Sequence, residues 1–154
     1  MATTIAGETY LGDELVNSLS QSGDITVYLW PMRCLKSKIG GPTFGVDVKG
    51  VEIIRFDCHG ELGHWHELGY DKLGAGGSHV DFPDGLKDST GQIDWALGQI
   101  RDNGANLLDA AGYPDEAKTL DTELLKVATE GIKAHIASAG DLRSEAVEKG
   151  LVEA

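Results

Sequence analysis

Apolar and polar residues alternate in short runs over the first half of the chain, and from about residue 84 onward the apolar positions recur every three to four residues. The first half therefore predicts strands and the second half helices. Residues 25–30 (ITVYLW), 44–48 and 51–57 carry the strand pattern, with Pro31 expected to end the first of them and Gly40-Gly41-Pro42 to act as a stop. Lys49-Gly50 is the right length for a two-residue hairpin turn, with the glycine at positive φ. In VEIIRF both faces are partly apolar, which predicts an interior strand covered on each side. Residues 64–70 and 78–82 extend the pattern, and Gly74, Gly76 and Gly77 predict a flexible loop between them. Ahead of all these, Leu11, Leu15, Val16 and Leu19 predict a short amphipathic helix, broken at Ser22-Gly23-Asp24.

In the second half, Ser89 and Gln92 stand at capping-box spacing, followed by an apolar stripe through Ile93, Leu97, Ile100, Leu107 and Leu108. Gly104 lies on that stripe as either a break or a close-packing point, and Gly112 marks the helix end. Pro114 sits where a second long helix would start, running through Leu120, Leu124, Val127, Ala128 and Ile132 to Gly140, and a short charged helix from about 141 to 149 follows. The expected class is α+β: an antiparallel meander of about five strands, then a C-terminal helical hairpin packed on one face. Residues 1–154 are expected to form a single domain, with the sheet at about 24–83 and the helices at about 89–150.

Charge narrows the partners. With 25 acidic and 13 basic residues the net charge is -12, and only Arg33, Lys36 and Lys38 cluster positively, so free DNA is not an expected partner. No stretch approaches the 18 or so apolar residues of a membrane span, and no signal-like start is present; the expected location is the cytoplasm, away from membranes. Cys34 and Cys58 are too few for a disulfide framework and read as buried thiols.

The chemistry concentrates in DCHGELGHWHE, residues 57–67, which holds three of the five histidines. His64 and His66 are two apart, so on a strand both rings leave the same face, as converging metal ligands do. Asp57 and His59 share a parity before the turn, and His79 and Asp81 repeat the spacing fifteen residues later. His64, His66 and His79 are the candidate ligands for zinc, iron or manganese, with His59, Asp57 and Asp81 as candidate acid/base residues and Arg55 as a candidate substrate contact. Trp65 points to the opposite face and is expected to pack beneath the helices, with Cys58 also turned inward. Histidines at strand ends also commonly do no more than bond a carbonyl on a half-solvated surface.

Residues 53–66, IIRFDCHGELGHWH, resemble the small bacterial toxins of the TumE type through Arg55, Phe56, Asp57, Gly63, His64 and His66. That resemblance implies a functional H-x-H hairpin in a toxin-like setting directed at RNA or a protein partner. The likeness to cupins is weaker, because Glu67 adjoins the H-x-H and too few strands are left for a barrel. The first expectation from the residues themselves is a small enzyme, metal-dependent or His/Asp-based, hydrolysing or eliminating from a small polar substrate. The others are a toxin-like or regulatory binding protein, and a structural metal site, with the acidic helices available for homodimer contacts.

Overall fold

The computed structural model describes residues 2–35 and 38–154, and centres on an eight-stranded sheet in which every pairing is antiparallel. Three short strands, β1 (Ala2–Ile5), β2 (Glu8–Leu11) and β3 (Leu15–Ser18), precede the long strands β4 (Ile25–Cys34), β5 (Gly40–Val48) and β6 (Val51–Asp57). Two very short ones, β7 (His64–His66) and β8 (His79–Val80), complete the order β1-β2-β4-β5-β6-β7-β8, with β3 paired to β4 beside β2. The helices are α1 (Tyr70–Gly77), α2 (Ser89–Ala110), α3 (Pro114–Ala117), α4 (Thr122–Ala139) and α5 (Leu142–Glu148). Among the described residues no helix is long and apolar enough to cross a membrane.

The α+β class is as expected, but the sheet has eight strands where about five were predicted. The opening segment is the largest difference, being three strands and no helix. Leu11, Leu15 and Leu19 are four apart, a spacing that fits a strand face as well as a helix face, and Gly7 and Gly12 at φ 80° and 82° turn the chain between strands. Pro31 does not end β4. Pairing to β5 lapses between Trp30 and Arg33, so its missing N–H leaves no ladder bond unmade. The Gly40-Gly41-Pro42 stop is likewise strand, the start of β5. Lys36 of the basic cluster lies outside the described residues.

Lys49 and Gly50 close the β5–β6 hairpin at φ 50° and 81°, the two positive values of a type I′ turn. β6 is interior: Ile53 and Ile54 are both buried, with α2 against one side and α1 against the other. The α2–α4 hairpin covers one sheet face, burying Ile93, Leu97, Ile100 and Leu108 from α2 and Leu125, Ala128 and Ile132 from α4 against Val27, Leu29, Phe44 and Phe56. Trp65 joins this core as expected, stacked on Phe56 with centroids 5.4 Å apart. α2 runs unbroken past Gly104, while Pro114 opens only the one-turn α3 and Asp121 caps α4 afresh. A second cluster, Leu11, Met32, Cys34, Ala146 and Val152, seats α5 at the end of β4.

Asp47, beside Glu52 in the β5–β6 register, is half-buried, and burial together with Glu52 and Glu14 pushes its carboxyl up to about 6. A folded-state value above the unfolded one means stability is lost as pH rises from about 4 to 6, when the unfolded chain ionises first. Asp47→Asn is expected to raise the unfolding free energy at pH 7 by about 1 kcal/mol, allowing for solvent screening, and to change it little at pH 4, as read by urea titration.

Candidate metal centre

The register of the ladder lines up two rows of side chains on the sheet face turned away from α2 and α4. One row is Trp30, Thr43, Asp57 and His64; the other is Tyr28, Gly45, Arg55, His66 and His79. Two irregularities bring further residues to this face. The lapse between Trp30 and Arg33 returns Arg33 to the face of Trp30, and the one between Val46 and Asp47 adds Ile53 as an extra residue in β6, so Glu52 comes to the face of Arg55.

Asp57, fully buried, is the centre. Its Oδ1 accepts from Thr43 Oγ1 at 2.9 Å and from Arg33 Nη1 at 3.1 Å, and Arg33 is held in turn by both oxygens of Glu8. Its Oδ2 faces His64 Nε2 at 3.2 Å and His66 Nε2 at 3.4 Å yet takes no hydrogen bond from either, because neither ring directs an N–H along that line. Burial by itself would raise this carboxyl; His64, His66, His59 and Arg33 more than offset it and hold it well below the usual carboxylate range.

The outer nitrogens explain the orientation of the rings. His64 Nδ1 is 3.3 Å from the Leu62 carbonyl, which can only accept, so Nδ1 carries the proton. His66 Nδ1 is 3.1 Å from Ser78 Oγ, whose own hydrogen goes to the Gly74 carbonyl at 2.5 Å; Ser78 must therefore accept from His66. In the neutral rings both Nε2 atoms thus present lone pairs to a carboxylate oxygen with no donor. Three electron-rich atoms in that arrangement repel unless a proton or a cation lies among them. The three side chains offer one ligand atom each, all within 4.8 Å of one another. The 3.2 and 3.4 Å separations match the roughly 3.0 to 3.4 Å between ligand atoms bonded at about 2.1 Å to a tetrahedral or octahedral ion. Asp57, His64 and His66 could therefore hold a metal ion.

The remaining expected residues fall outside this group. His79 pairs in register with His66, but its ring stacks on His64 with centroids 4.7 Å apart and its Nε2 lies 3.2 Å from Asp81, both of them exposed; β8 ends too early to carry Asp81 inward. His59 leaves the strand altogether, since β6 ends at Asp57. Its Nε2 donates to Thr43 Oγ1 at 3.0 Å, its Nδ1 is buried without a partner, and burial lowers its pKa to about 4. Arg55 is bound by Glu52 at 3.1 and 2.7 Å and lies over the Tyr70 ring, so it has been taken up by the protein itself. Arg33, Thr43 and Ser78 were missed. Arg33 looked like loop, and the role of a lone threonine or serine depends on what the fold brings against it.

Two features of the surroundings also depart from expectation. Residues 70–77 form the helical turns of α1, broken at Gly74 (φ 70°), where a flexible loop was predicted; Tyr113 Oη donates to Asp71 and Lys72 Nζ to the Ala111 carbonyl, fastening this stretch to the end of α2. Ser89 and Gln92 do not form a capping box: Asp88 caps α2 by accepting from Gly91 N at 2.8 Å. Instead Ser89 reaches the Cys58 carbonyl, and buried Gln92 bonds Gly60 N, Gly60 O and Leu86 O, fixing the turn between Asp57 and His64.

Residues 43–136 match the family described as a domain of unknown function, DUF7700. The chain belongs to that family. The DUF7700 stretch contains Asp57, His64 and His66 together with Thr43, Ser78 and Gln92, whereas Glu8 and Arg33 precede it. No curated protein and no solved structure matches the chain. The likeness to TumE-type toxins is overturned, since residues 53–66 fall within the DUF7700 match and no such toxin family is found.

Gln92→Leu, which takes the acceptor from the half-buried Gly60 N–H, is expected to cost about 1 to 2 kcal/mol in urea unfolding. A second outcome concerns pH. The Asp57 carboxylate facing Nε2 raises the pKa of His64, so in chelator-treated protein the protonated ring beside that charge stabilises the fold below the ordinary histidine value and the gain is lost as pH rises through the raised one. Thermal scans of chelated wild type are therefore expected to show a steeper loss of Tm above pH 6.5 or so than His64→Ala does.

Proposed function

We propose that the chain is a metal-dependent enzyme in which Asp57, His64 and His66 bind one divalent transition metal and leave its remaining positions open to water and substrate. The observation that carries this is the pair of Nε2 lone pairs converging on a partnerless, buried Oδ2. Two imidazoles and a carboxylate suit zinc, iron(II) or manganese, and a three-residue set is the pattern of catalytic rather than closed structural sites. Bound there, the metal would act as a Lewis acid, serving hydrolysis or elimination on a small polar substrate.

The protein supplies the rest. Thr43 and Arg33 occupy Oδ1 and so aim Oδ2, Ser78 and the Leu62 carbonyl fix the tautomers, and Trp65 anchors the strand from behind. The half-exposed His79, paired with Asp81 beside His64, is placed to take up or deliver a proton at the mouth of the site.

Protein produced without a histidine tag is expected to hold about one equivalent of transition metal by plasma mass spectrometry, and His64→Ala/His66→Ala less than about a tenth. Ser78→Ala is expected to weaken affinity about 10- to 100-fold while leaving the far-UV spectrum unchanged. Absence of metal from wild type even after reconstitution with zinc, iron(II) and manganese in turn would sink the proposal.

A further inference from the structure

A cavity of about 260 Å³ lies on the same sheet face as Asp57, over β4 and β5. Arg33, Thr43 and Arg55 line it at the end nearest the metal centre: the first two bond Asp57 directly and the third is the register partner of His66. Its size suits a small metabolite and falls just under the usual range for larger ligands, about 300 Å³ upward.

The walls are aromatic. Tyr10 and Trp30 pack with centroids 4.6 Å apart, and the Tyr28 ring lies across Gly45, where any Cβ would stand 2.9 Å from Tyr28 Cε1. Glycine at 45 therefore lets a tyrosine lie down along the floor. Tyr28 Oη donates to Glu52, which fixes the ring in that position.

The electrostatics discriminate between ligands. Both guanidinium groups in the lining are already spent, Arg33 on Glu8 and Asp57 and Arg55 on Glu52, so an anion would have to displace a carboxylate. A cation meets the opposite situation. Glu14 stands exposed on the rim, and neighbouring Asp47 has a buried Oδ1 with no partner. Electron-rich ring faces with carboxylates beside them are the standard surroundings of bound ammonium groups.

We propose that this groove binds a small molecule carrying an ammonium or quaternary ammonium group, seated against Tyr28 and Trp30 with Glu14 as counter-charge, and that this molecule is the substrate of the adjacent metal centre. The second half rests on the metal-enzyme reading.

The probes are benzyltrimethylammonium and, as its anionic counterpart, benzoate, titrated into the chelated 154-residue chain and followed by amide NMR shifts. The cation is expected to bind saturably, shifting Tyr10, Tyr28 and Trp30, with affinity reduced about tenfold by Trp30→Leu and about threefold by Glu14→Gln, a surface change that leaves the fold intact. Benzoate binding as tightly as the cation, or variants with unchanged affinity, would overturn the groove. The link to the metal is read separately. Cobalt(II)-loaded protein should broaden the ring-proton signals of the bound probe relative to zinc-loaded protein, and equal linewidths would overturn the substrate assignment. Failure of cobalt and zinc to load is seen before any probe is added, and strikes the metal reading without touching the groove.

Discussion

Everything around the candidate site follows from burying one carboxylate. Asp57 has no solvent to stabilise its charge, and a buried unpaired carboxylate is among the costliest groups a small protein can hold. Arg33 and Thr43 serve one oxygen, and Glu8 completes the ion pair behind Arg33. The other oxygen is left to His64 and His66. Removing Arg33 would leave a buried charge uncompensated and removing Thr43 would cost it a hydrogen bond, so these two residues belong to the candidate site as much as the histidines do.

The sheet divides its two faces between the apolar core and the candidate site. Phe44, Phe56 and Trp65 point to α2 and α4 and close an apolar core, while Thr43, Asp57, His64 and His66 alternate with them and point the other way. Strand alternation alone accomplishes this, with no separate scaffold needed. Gln92 then ties the core helix α2 to the turn between Asp57 and His64, so the spacing of the three potential ligands depends on how α2 packs.

Much of this could be read from residue spacing. Period-two parity correctly put His64 and His66 opposite Trp65, and Lys49-Gly50 correctly marked the hairpin that brings Thr43 beside Asp57. Parity failed where strands ended early. His59 and Asp81 have the right spacing but lie beyond the last ladder pair, and spacing carries no information once the backbone leaves the sheet. Arg33 was hidden by a different cause, a lapse in pairing after Pro31 that reverses the facing of every later residue in β4. Residues 70–77 were hidden by tertiary contact, since Asp71 and Lys72 hold as helix a glycine-rich stretch that local preference would leave open.

β7 and β8 are only three and two residues long. Such an edge offers little template for another chain to extend, which guards an acidic protein with exposed β-structure against strand addition. The same brevity leaves His64 and His66 on the part of the sheet with the fewest ladder bonds to hold it. An ion shared between β6 and β7 would then work as a rivet at the margin of the sheet, joining the edge to the interior and adding stability to a chain already folded without it.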